Sequence, residues 1–229
     1  MVNRSSVVPA VLGLFAVVGV IGLMSVSSTD DDGGPVAEAP PAAAALSAQE
    51  IGSVSRATDI PRRALSAYVA AAQRAERDVP ACRIGWNTIA GIGSSESSHG
   101  AFGGASLGDD GVAKPLIIGV PLDGTGGNRA IDDTDGGELD GDDRWDRAVG
   151  PLQFIPTTWA RWGADGDGDG VANPHDIDDA AAAAAAYLCD AGDDLSASEG
   201  WSRAVLTYNR SGAYARQVSR TATEYARAS

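Results

Sequence analysis

The sequence predicts a mainly helical α+β domain with one small β element, and three observations carry that prediction. Several segments after residue 55 show helical spacing of apolar side chains, and one of them, 176–188, contains seven consecutive alanines, which favour helix by propensity alone. The glycine-rich stretch 101–130 holds one apolar run, 116–120, long enough for a short strand. An Asp/Gly loop, 165–176, has the pattern of a calcium-binding turn between helices.

The first 28 residues predict an export signal or a membrane anchor. Arg4 precedes an apolar run from Val7 to Val26, and this order of charge and hydrophobicity is typical of export signals. The run is nearly long enough to span a bilayer, and no clean cleavage site follows it. Cleavage and anchoring therefore both stay open, and in either case we expect an exported protein.

Residues 29–55 predict a disordered linker. The segment begins with three aspartates and continues as an Ala/Pro tract around Pro40 and Pro41, a composition that buries too little apolar surface to offset chain entropy. The remaining residues, 56–229, have the length of one ordinary domain.

Start and stop signals place the helices of that domain. Asp59 before Pro61 predicts the cap and first turn of a helix that runs toward Glu76. A second helix is expected to stop at Gly100. Including it, the remaining helices are expected over 83–97, 156–162, 176–188, 198–208 and 213–226.

The charge and the cysteines limit the possible partners and compartment. The net charge of −14 argues against nucleic acid and against anionic lipid surfaces as partners. Cys82 and Cys189 predict a disulfide if the protein is exported, although two buried free thiols remain an alternative. No Cys/His spacing resembles a zinc site.

The Asp/Gly loop at 165–176 matches the EF-hand pattern closely. The spacing turns alternate oxygens inward while Gly170 takes the sharp turn. The expected calcium ligands are the side chains of Asp165, Asp167, Asp169, Asn173 and Asp176 and the carbonyl of Val171. Position 12 is aspartate where EF-hands usually have glutamate, which predicts weaker binding, and a solvated turn without metal is the alternative.

A second acidic stretch, 132–146, has no acid at the position where the first EF-hand ligand would fall. We interpret it as a solvated loop rather than a second metal site.

One carboxyl group in the predicted second helix has the spacing of a buried acid. Glu96 shares a helical face with Trp86, Ile89 and Gly93. Apolar neighbours and the negative end of the helix dipole would both raise the pKa of Glu96. A carboxyl that keeps its proton near neutral pH can protonate the leaving oxygen of a glycosidic bond. Most single glutamates on helices are nevertheless solvated surface residues, so this pattern alone leaves the role open.

Three blocks in order, 96–100, 150–159 and Tyr208-Asn209, resemble the lytic transglycosylases. The nearest group is the membrane-bound lytic transglycosylase B type in its actinobacterial-looking form. The resemblance covers about Ile60 to Tyr225, and Gly-Pro-Leu-Gln-Phe-Ile-Pro at 150–156 is its most specific part. It implies a lysozyme-like fold and calcium bound as a structural ion.

The resemblance also implies the chemistry. Glu96 would protonate the bond between N-acetylmuramic acid and N-acetylglucosamine, with assistance from the muramic N-acetyl group. It would then act as base on the C6 hydroxyl and give a 1,6-anhydro end. Gln153, Tyr208, Asn209 and Ser97 would form the substrate-binding set. The residues alone would make Gln153 a surface amide, Tyr208 a core aromatic and Asn209 a helix C-cap.

The chain departs from the B type at one point. That group has a serine a few residues before its Gly-x-x-Gln block, whereas residues 144–149 contain none. Either Asp146 or Arg147 takes over its contact, or the contact is missing.

The sequence leaves two further functions open. One is a muramidase that admits water, and the other is a non-catalytic, calcium-stabilised module that binds the cell wall. In each case we expect a monomer in the cell envelope that binds peptidoglycan glycan strands and contacts the membrane if the first segment is uncleaved.

Overall fold

The computed structural model describes residues 35–229. The predicted export signal and the first six residues of the predicted linker lie outside this range. The helices are α1 (Ala48–Thr58), α2 (Arg62–Asp78), α3 (Trp86–Ser97), α4 (Pro156–Trp162), α5 (Ile177–Gly192), α6 (Ser198–Tyr208) and α7 (Gly212–Arg227). The strands are β1 (Ser106–Leu107), β2 (Ala113–Lys114), β3 (Ile118–Pro121) and β4 (Arg147–Val149).

The helices form the core and confirm the mainly helical α+β class. The alanine run of α5 is buried, and its small side chains let α2 and α6 pack closely on either side. Helix α3 packs against α7 and α2. The largest fully buried side chains include Trp86, Trp201 and Tyr68, one from each of three helices. Burial of large aromatic side chains of this kind supplies much of the hydrophobic stabilisation of a small domain.

The β element consists of two short antiparallel pairs inserted between α3 and α4. Strand β1 pairs with β2, and β3 pairs with β4. The predicted strand at 116–120 is therefore present as β3, shifted by one or two residues. Strand β4 leads directly into the block at 150–156, so the β3–β4 pair positions that block.

The predicted disordered linker is wrong over residues 35–55. Part of this range forms α1, which begins at a complete capping box between Ser47 and Glu50. The segment before α1 lies in extended form against the domain, with Ala37 and Leu46 buried. Asn87 of α3 holds this segment at two points, accepting from the N–H of Ala43 at 3.0 Å and donating to the carbonyl of Pro41 at 3.0 Å.

Asp59 does not cap α2. It ends α1 in a left-handed conformation (φ 58°), and α2 begins after Pro61 without a side-chain cap. The sequence does not predict α1, so Asp59 is assigned to the start of the next helix although it ends α1.

Cys82 and Cys189 form the predicted disulfide, with their Cα atoms 5.3 Å apart. It joins the loop before α3 to the last turn of α5. Within residues 35–229, no helix is long and apolar enough to cross a membrane.

Candidate active site

Glu96 lies in the last turn of α3, where the chain leaves the helix abruptly. Ser98, His99 and Gly100 take positive φ angles of 51°, 61° and 85°, which end the helix directly after Ser97. The side chain of Glu96 is half-buried. The predicted placement of a carboxyl at the C-terminal end of this helix is therefore confirmed, although its role in catalysis stays a prediction.

The surroundings of Glu96 favour the protonated form of its carboxyl. Burial raises the pKa of Glu96 to about 7, and a hydrogen bond from Tyr214 lowers it in part. The hydroxyl of Tyr214 donates to Oε1 of Glu96 at 2.6 Å. Near neutral pH such a carboxyl is divided between its acid and its carboxylate form, which suits a group that must first donate and later accept a proton.

The glycines of α3 permit close approach by two other helices. A Cβ at Gly91 would lie 3.1 Å from the carbonyl oxygen of Val218 in α7. A Cβ at Gly93 would collide with the hydroxyl of Tyr68 in α2. The helix accepts the cost of two glycines because α7, which carries Tyr214, must come this close to α3.

A buried histidine joins the three helices around the end of α3. Nδ1 of His99 lies 3.2 Å from the hydroxyl of Tyr68, and Nε2 lies 3.0 Å from the hydroxyl of Tyr225. Burial lowers the pKa of His99 to about 4, so the ring is neutral at pH 7. A neutral imidazole donates through one nitrogen and accepts through the other, which allows it to bond both hydroxyls.

The block at 150–156 turns tightly beside Glu96. Gly150 has a φ of 77°, and a Cβ there would collide with the carbonyl of Pro174. Gln153 also has a positive φ, 52°, and its amide nitrogen donates to the carbonyl of Gly150 at 2.8 Å. The N–H of Phe154 then returns to the carbonyl of Val149 at 3.0 Å.

Two side chains hold this turn from opposite sides. The hydroxyl of Ser97 donates to the carbonyl of Pro151 at 2.6 Å and accepts from the N–H of Gly100 at 2.7 Å. The hydroxyl of Tyr208 donates to the carbonyl of Leu152 at 2.7 Å. Ser97 is only 2% exposed, and its hydroxyl joins the end of α3 to the turn. Its contact with substrate stays a prediction.

Gln153 and Tyr208 line a cavity of about 120 Å³ that opens next to this turn. We call it the aromatic–arginine cavity; its other polar or aromatic walls include Phe154, Tyr187, Arg129 and Arg210. Burial, and then the nearby charge of Glu96, raise the pKa of Tyr208.

The other predicted positions have mixed outcomes. Asn209 is buried at the C-terminal end of α6, as expected of a helix cap, and its Oδ1 accepts from the N–H of Ser211 at 3.2 Å. Phe154 and Trp159 are core residues in edge-to-face contact. Tyr214 was missed, because a tyrosine in the first turn of a helix has no signature in the sequence that points to Glu96.

Neither candidate replaces the missing serine through a contact with Glu96. The carboxylate of Asp146 accepts from the N–H and the hydroxyl of Thr134. The guanidinium of Arg147 pairs with Asp142 and donates to the carbonyl of Gly119. Asp146 instead holds the 132–146 loop together, and Arg147 attaches the loop to β3.

The EF-hand-like loop is formed, but of the four expected aspartate ligands only Asp165 and Asp167 belong to the converging group, and Asp169 and Asp176 do not. Oxygens of Asp165, Asp167 and Asp179 lie within 4.8 Å of one another. Asp179 also accepts from the N–H groups of Gly166 and Asn173. Asp179 therefore closes the loop from the first turn of α5.

Asp176 does not join that group, contrary to its prediction as the ligand at position 12. It caps α5 by accepting from the N–H of Asp178 at 2.8 Å, and it faces Gly111. The helix begins at residue 177, so position 12 becomes the N-cap and the carboxylate one helical turn later points at the loop.

The 132–146 loop brings a similar trio together, Asp133, Asp135 and Asp146. Each of these carboxylates accepts from N–H groups of the same loop, as those of Asp133 and Asp135 do from Gly137.

Comparison with known proteins gives one match. Residues 143–206 match the profile of the family described as the Transglycosylase SLT domain. This range includes the turn at Gln153, the EF-hand-like loop and most of α6. No curated protein and no solved structure shows significant similarity to the chain.

Proposed function

We propose that the chain is a peptidoglycan lytic transglycosylase that cleaves the β-1,4 bond between N-acetylmuramic acid and N-acetylglucosamine. The observation that carries this proposal is the half-buried carboxyl of Glu96, whose pKa is raised to about 7. This carboxyl accepts a hydrogen bond from the hydroxyl of Tyr214. The match of residues 143–206 to the transglycosylase family supports action on peptidoglycan in general.

In the first proposed step, Glu96 donates its proton to the glycosidic oxygen as that bond breaks. The N-acetyl oxygen of the muramic acid assists by attacking its own C1, so no second protein carboxylate is needed as nucleophile. Glu96 is then a carboxylate that accepts a hydrogen bond from Tyr214, which stabilises the ionised form.

In the second proposed step, this carboxylate takes the proton of the C6 hydroxyl of the same sugar. The C6 oxygen bonds to C1 and releases the N-acetyl oxygen. The product is a 1,6-anhydro end, the acid form of Glu96 is restored, and no water is consumed. A pKa near 7 makes both roles accessible at neutral pH.

Gln153 and Tyr208 are proposed to line the saccharide groove. Both border the aromatic–arginine cavity. Asn209 is proposed to orient the N-acetyl group, and its place at the end of α6, next to Tyr208, supports this assignment.

Calcium is proposed as a structural ion of the EF-hand-like loop. The donor set fits a hard cation, since three carboxylates converge in a short Asp/Gly loop. Asp165, Asp167 and Asp179 would hold it, and it would offset their mutual repulsion. The loop joins α4 to α5, and its carboxylates accept from N–H groups of the loop itself, so we assign it no step in the reaction.

The first 28 residues are proposed to export the chain and, if uncleaved, to anchor it in the membrane. Peptidoglycan lies outside the cytoplasm, so the proposed substrate and the predicted signal agree.

The test is digestion of intact peptidoglycan by the full chain with calcium, followed by mass spectrometry of the released muropeptides. The proposal expects products lighter by one water than hydrolysed sugars, and none from Glu96→Gln. Reducing-end products would instead make the protein a muramidase. Binding without release by a folded wild-type protein would make it a wall-binding module.

A further inference from the structure

The aromatic–arginine cavity has a charge opposite to that of the protein as a whole. The chain carries 31 acidic and 17 basic residues, yet the walls of this cavity include Arg129 and Arg210 and no acidic residue. A cavity of this composition attracts an anion, while most of the surface repels one.

The two arginines come from separate parts of the fold. Arg129 lies in the loop between β3 and β4, and Arg210 lies in the turn between α6 and α7. Both are exposed, and neither forms an ion pair with any residue of the part of the chain that the structure describes. Their guanidinium groups are therefore available to a ligand.

The remaining walls are suited to a partly apolar ligand. Phe154, Tyr187 and Tyr208 contribute rings, and Leu122 and Ile131 contribute aliphatic surface on the side of Arg129. The hydroxyl of Tyr208 donates to the carbonyl of Leu152, and the side chain of Leu152 lies against Gly93, one helical turn before Glu96. The cavity therefore lies near the end of α3, and a substituent of a sugar cleaved at Glu96 would extend toward the arginines.

We propose that this cavity binds the carboxylate-bearing lactyl arm of muramic acid, an inference that rests on the proposed function. Peptidoglycan alternates a neutral sugar with one that carries a lactyl ether at C3, and this arm ends in a carboxylate or in a stem peptide that has carboxylates of its own. Arginine is well matched to carboxylates because its planar fork donates two parallel hydrogen bonds.

In this proposal the cavity determines which sugar of the glycan strand lies at Glu96. If Arg129 and Arg210 hold the arm of the muramic acid, then this sugar, and not its neutral neighbour, is presented to Glu96. Selection of the sugar would come from charge, and the transfer of protons would come from the acid.

The test measures binding by the full chain carrying Glu96→Gln, so that no probe is consumed. Three tetrasaccharides serve as probes: alternating peptidoglycan sugars with stem peptides, the same sugars with free lactyl carboxylates, and chitotetraose, which has neither. The double variant Arg129→Gln/Arg210→Gln is compared with Arg220→Gln, which alters an exposed arginine of α7 outside the cavity.

We expect the double variant to bind the charged probes about 10-fold more weakly, as for the loss of hydrogen bonds to a charged group, and chitotetraose unchanged. Loss on the free-lactyl probe alone identifies the lactyl carboxylate, loss on the peptide-bearing probe alone identifies the carboxylates of the stem, and loss on both shows that the arginines bind either one. Equal loss on all three probes, or no loss on any, overturns the proposal.

Failure of the proposed function would look different. If the wild-type protein releases no muropeptides while the charge-dependent binding persists, the proposed enzymatic function is wrong and the proposed role of the cavity stands. If the protein cleaves peptidoglycan without charge-dependent binding, the enzymatic function stands and the role of the cavity is wrong.

Discussion

Glu96 and Asp165 show how one chemical group acquires opposite properties in two regions of the molecule. The carboxyl of Glu96 is half-buried at the C-terminal end of a helix, and this burial raises its pKa to about 7 although one hydrogen bond, from Tyr214, lowers it in part. The carboxylate of Asp165 lies in an open loop and accepts from the N–H groups of Gly168 and Gly170, which lower its pKa.

Burial and the number of hydrogen-bond donors therefore decide whether a carboxyl keeps its proton near neutral pH. With few donors and little water, Glu96 holds a proton that it can transfer. With backbone donors on both oxygens, Asp165 is a permanent anion, suited to a cation and unsuited to acid catalysis. Four predictions test this contrast, in order from the largest expected effect to the smallest.

Replacing Glu96 by Gln should remove the proton donor while keeping the shape of the side chain. We expect the rate of muropeptide release to fall by about 10²- to 10⁴-fold, the usual contribution of a positioned acid or base. Initial rates on soluble glycan strands measure this, with Asp165→Asn as the matched control on the other side of the contrast. A similar loss in both variants at saturating calcium would contradict the distinction.

Replacing Asp179 by Asn should weaken calcium binding, because it removes one carboxylate of the converging trio. Calcium at 100 times its Kd stabilises a fold by about 2.7 kcal/mol, which raises the Tm of a domain of this size by roughly 5–10 °C. We expect most of this rise to be lost in Asp179→Asn, and chelator to lower the Tm of the wild type.

Asp176→Asn is the control for the ligand assignment, since Asn still caps α5. Thermal melts with calcium and with chelator compare the two variants. If Asp176→Asn loses the calcium response and Asp179→Asn keeps it, the assignment of Asp179 is wrong.

The raised pKa of Glu96 should make the fold less stable as pH rises. Below about 4.5 the carboxyl is protonated in both the folded and unfolded chain, and between 4.5 and about 7 the unfolded chain releases the proton while the folded chain retains it. The free energy of unfolding should therefore fall across this window by about 2 kcal/mol, after allowance for the exposed part of the side chain.

Glu96→Gln lacks this titration, so the variant should gain that amount relative to the wild type between pH 4.5 and pH 8. Urea denaturation at the two pH values measures it. A constant difference between the two proteins would mean that Glu96 has an ordinary pKa in the folded state.

Replacing Tyr214 by Phe removes the hydrogen bond that lowers the pKa of Glu96. We expect the basic limb of the pH–rate profile to move to higher pH by about 1 pH unit, in line with the energy of a hydrogen bond to a charged group. Tyr225→Phe is the matched control, because this hydroxyl bonds to His99 instead. An equal displacement in both variants would point to a general change in the packing of α7.

The helices and the position of the acid were predictable because both follow from local patterns. The predicted α6 agrees residue for residue, and α4 begins at Pro156 as expected. The apolar surroundings of Glu96 were predicted from the spacing of neighbours on one helix, which is information within a few turns of chain, whereas its catalytic role came from the family resemblance.

Two of the errors share one cause, which is contact between residues distant in sequence. The segment before α1 was assigned to the linker because its own composition is poor in large apolar residues, whereas Asn87 and Ser202 supply the hydrogen bonds that hold it. Tyr214 lies 118 positions from Glu96, and no local pattern joins them. Asp179 replaced Asp176 because the start of α5 decided which carboxylate faces the loop.

The most direct measurement is the pKa of Glu96 itself, from the pH dependence of its side-chain carboxyl resonance in ¹³C NMR of glutamate-labelled protein. The resonance is assigned by its absence in Glu96→Gln. The account predicts a midpoint of about 7, well above the ordinary value of 4.5. A midpoint near 4.5 would contradict it, because the carboxyl would then be ionised at neutral pH, as Asp165 is.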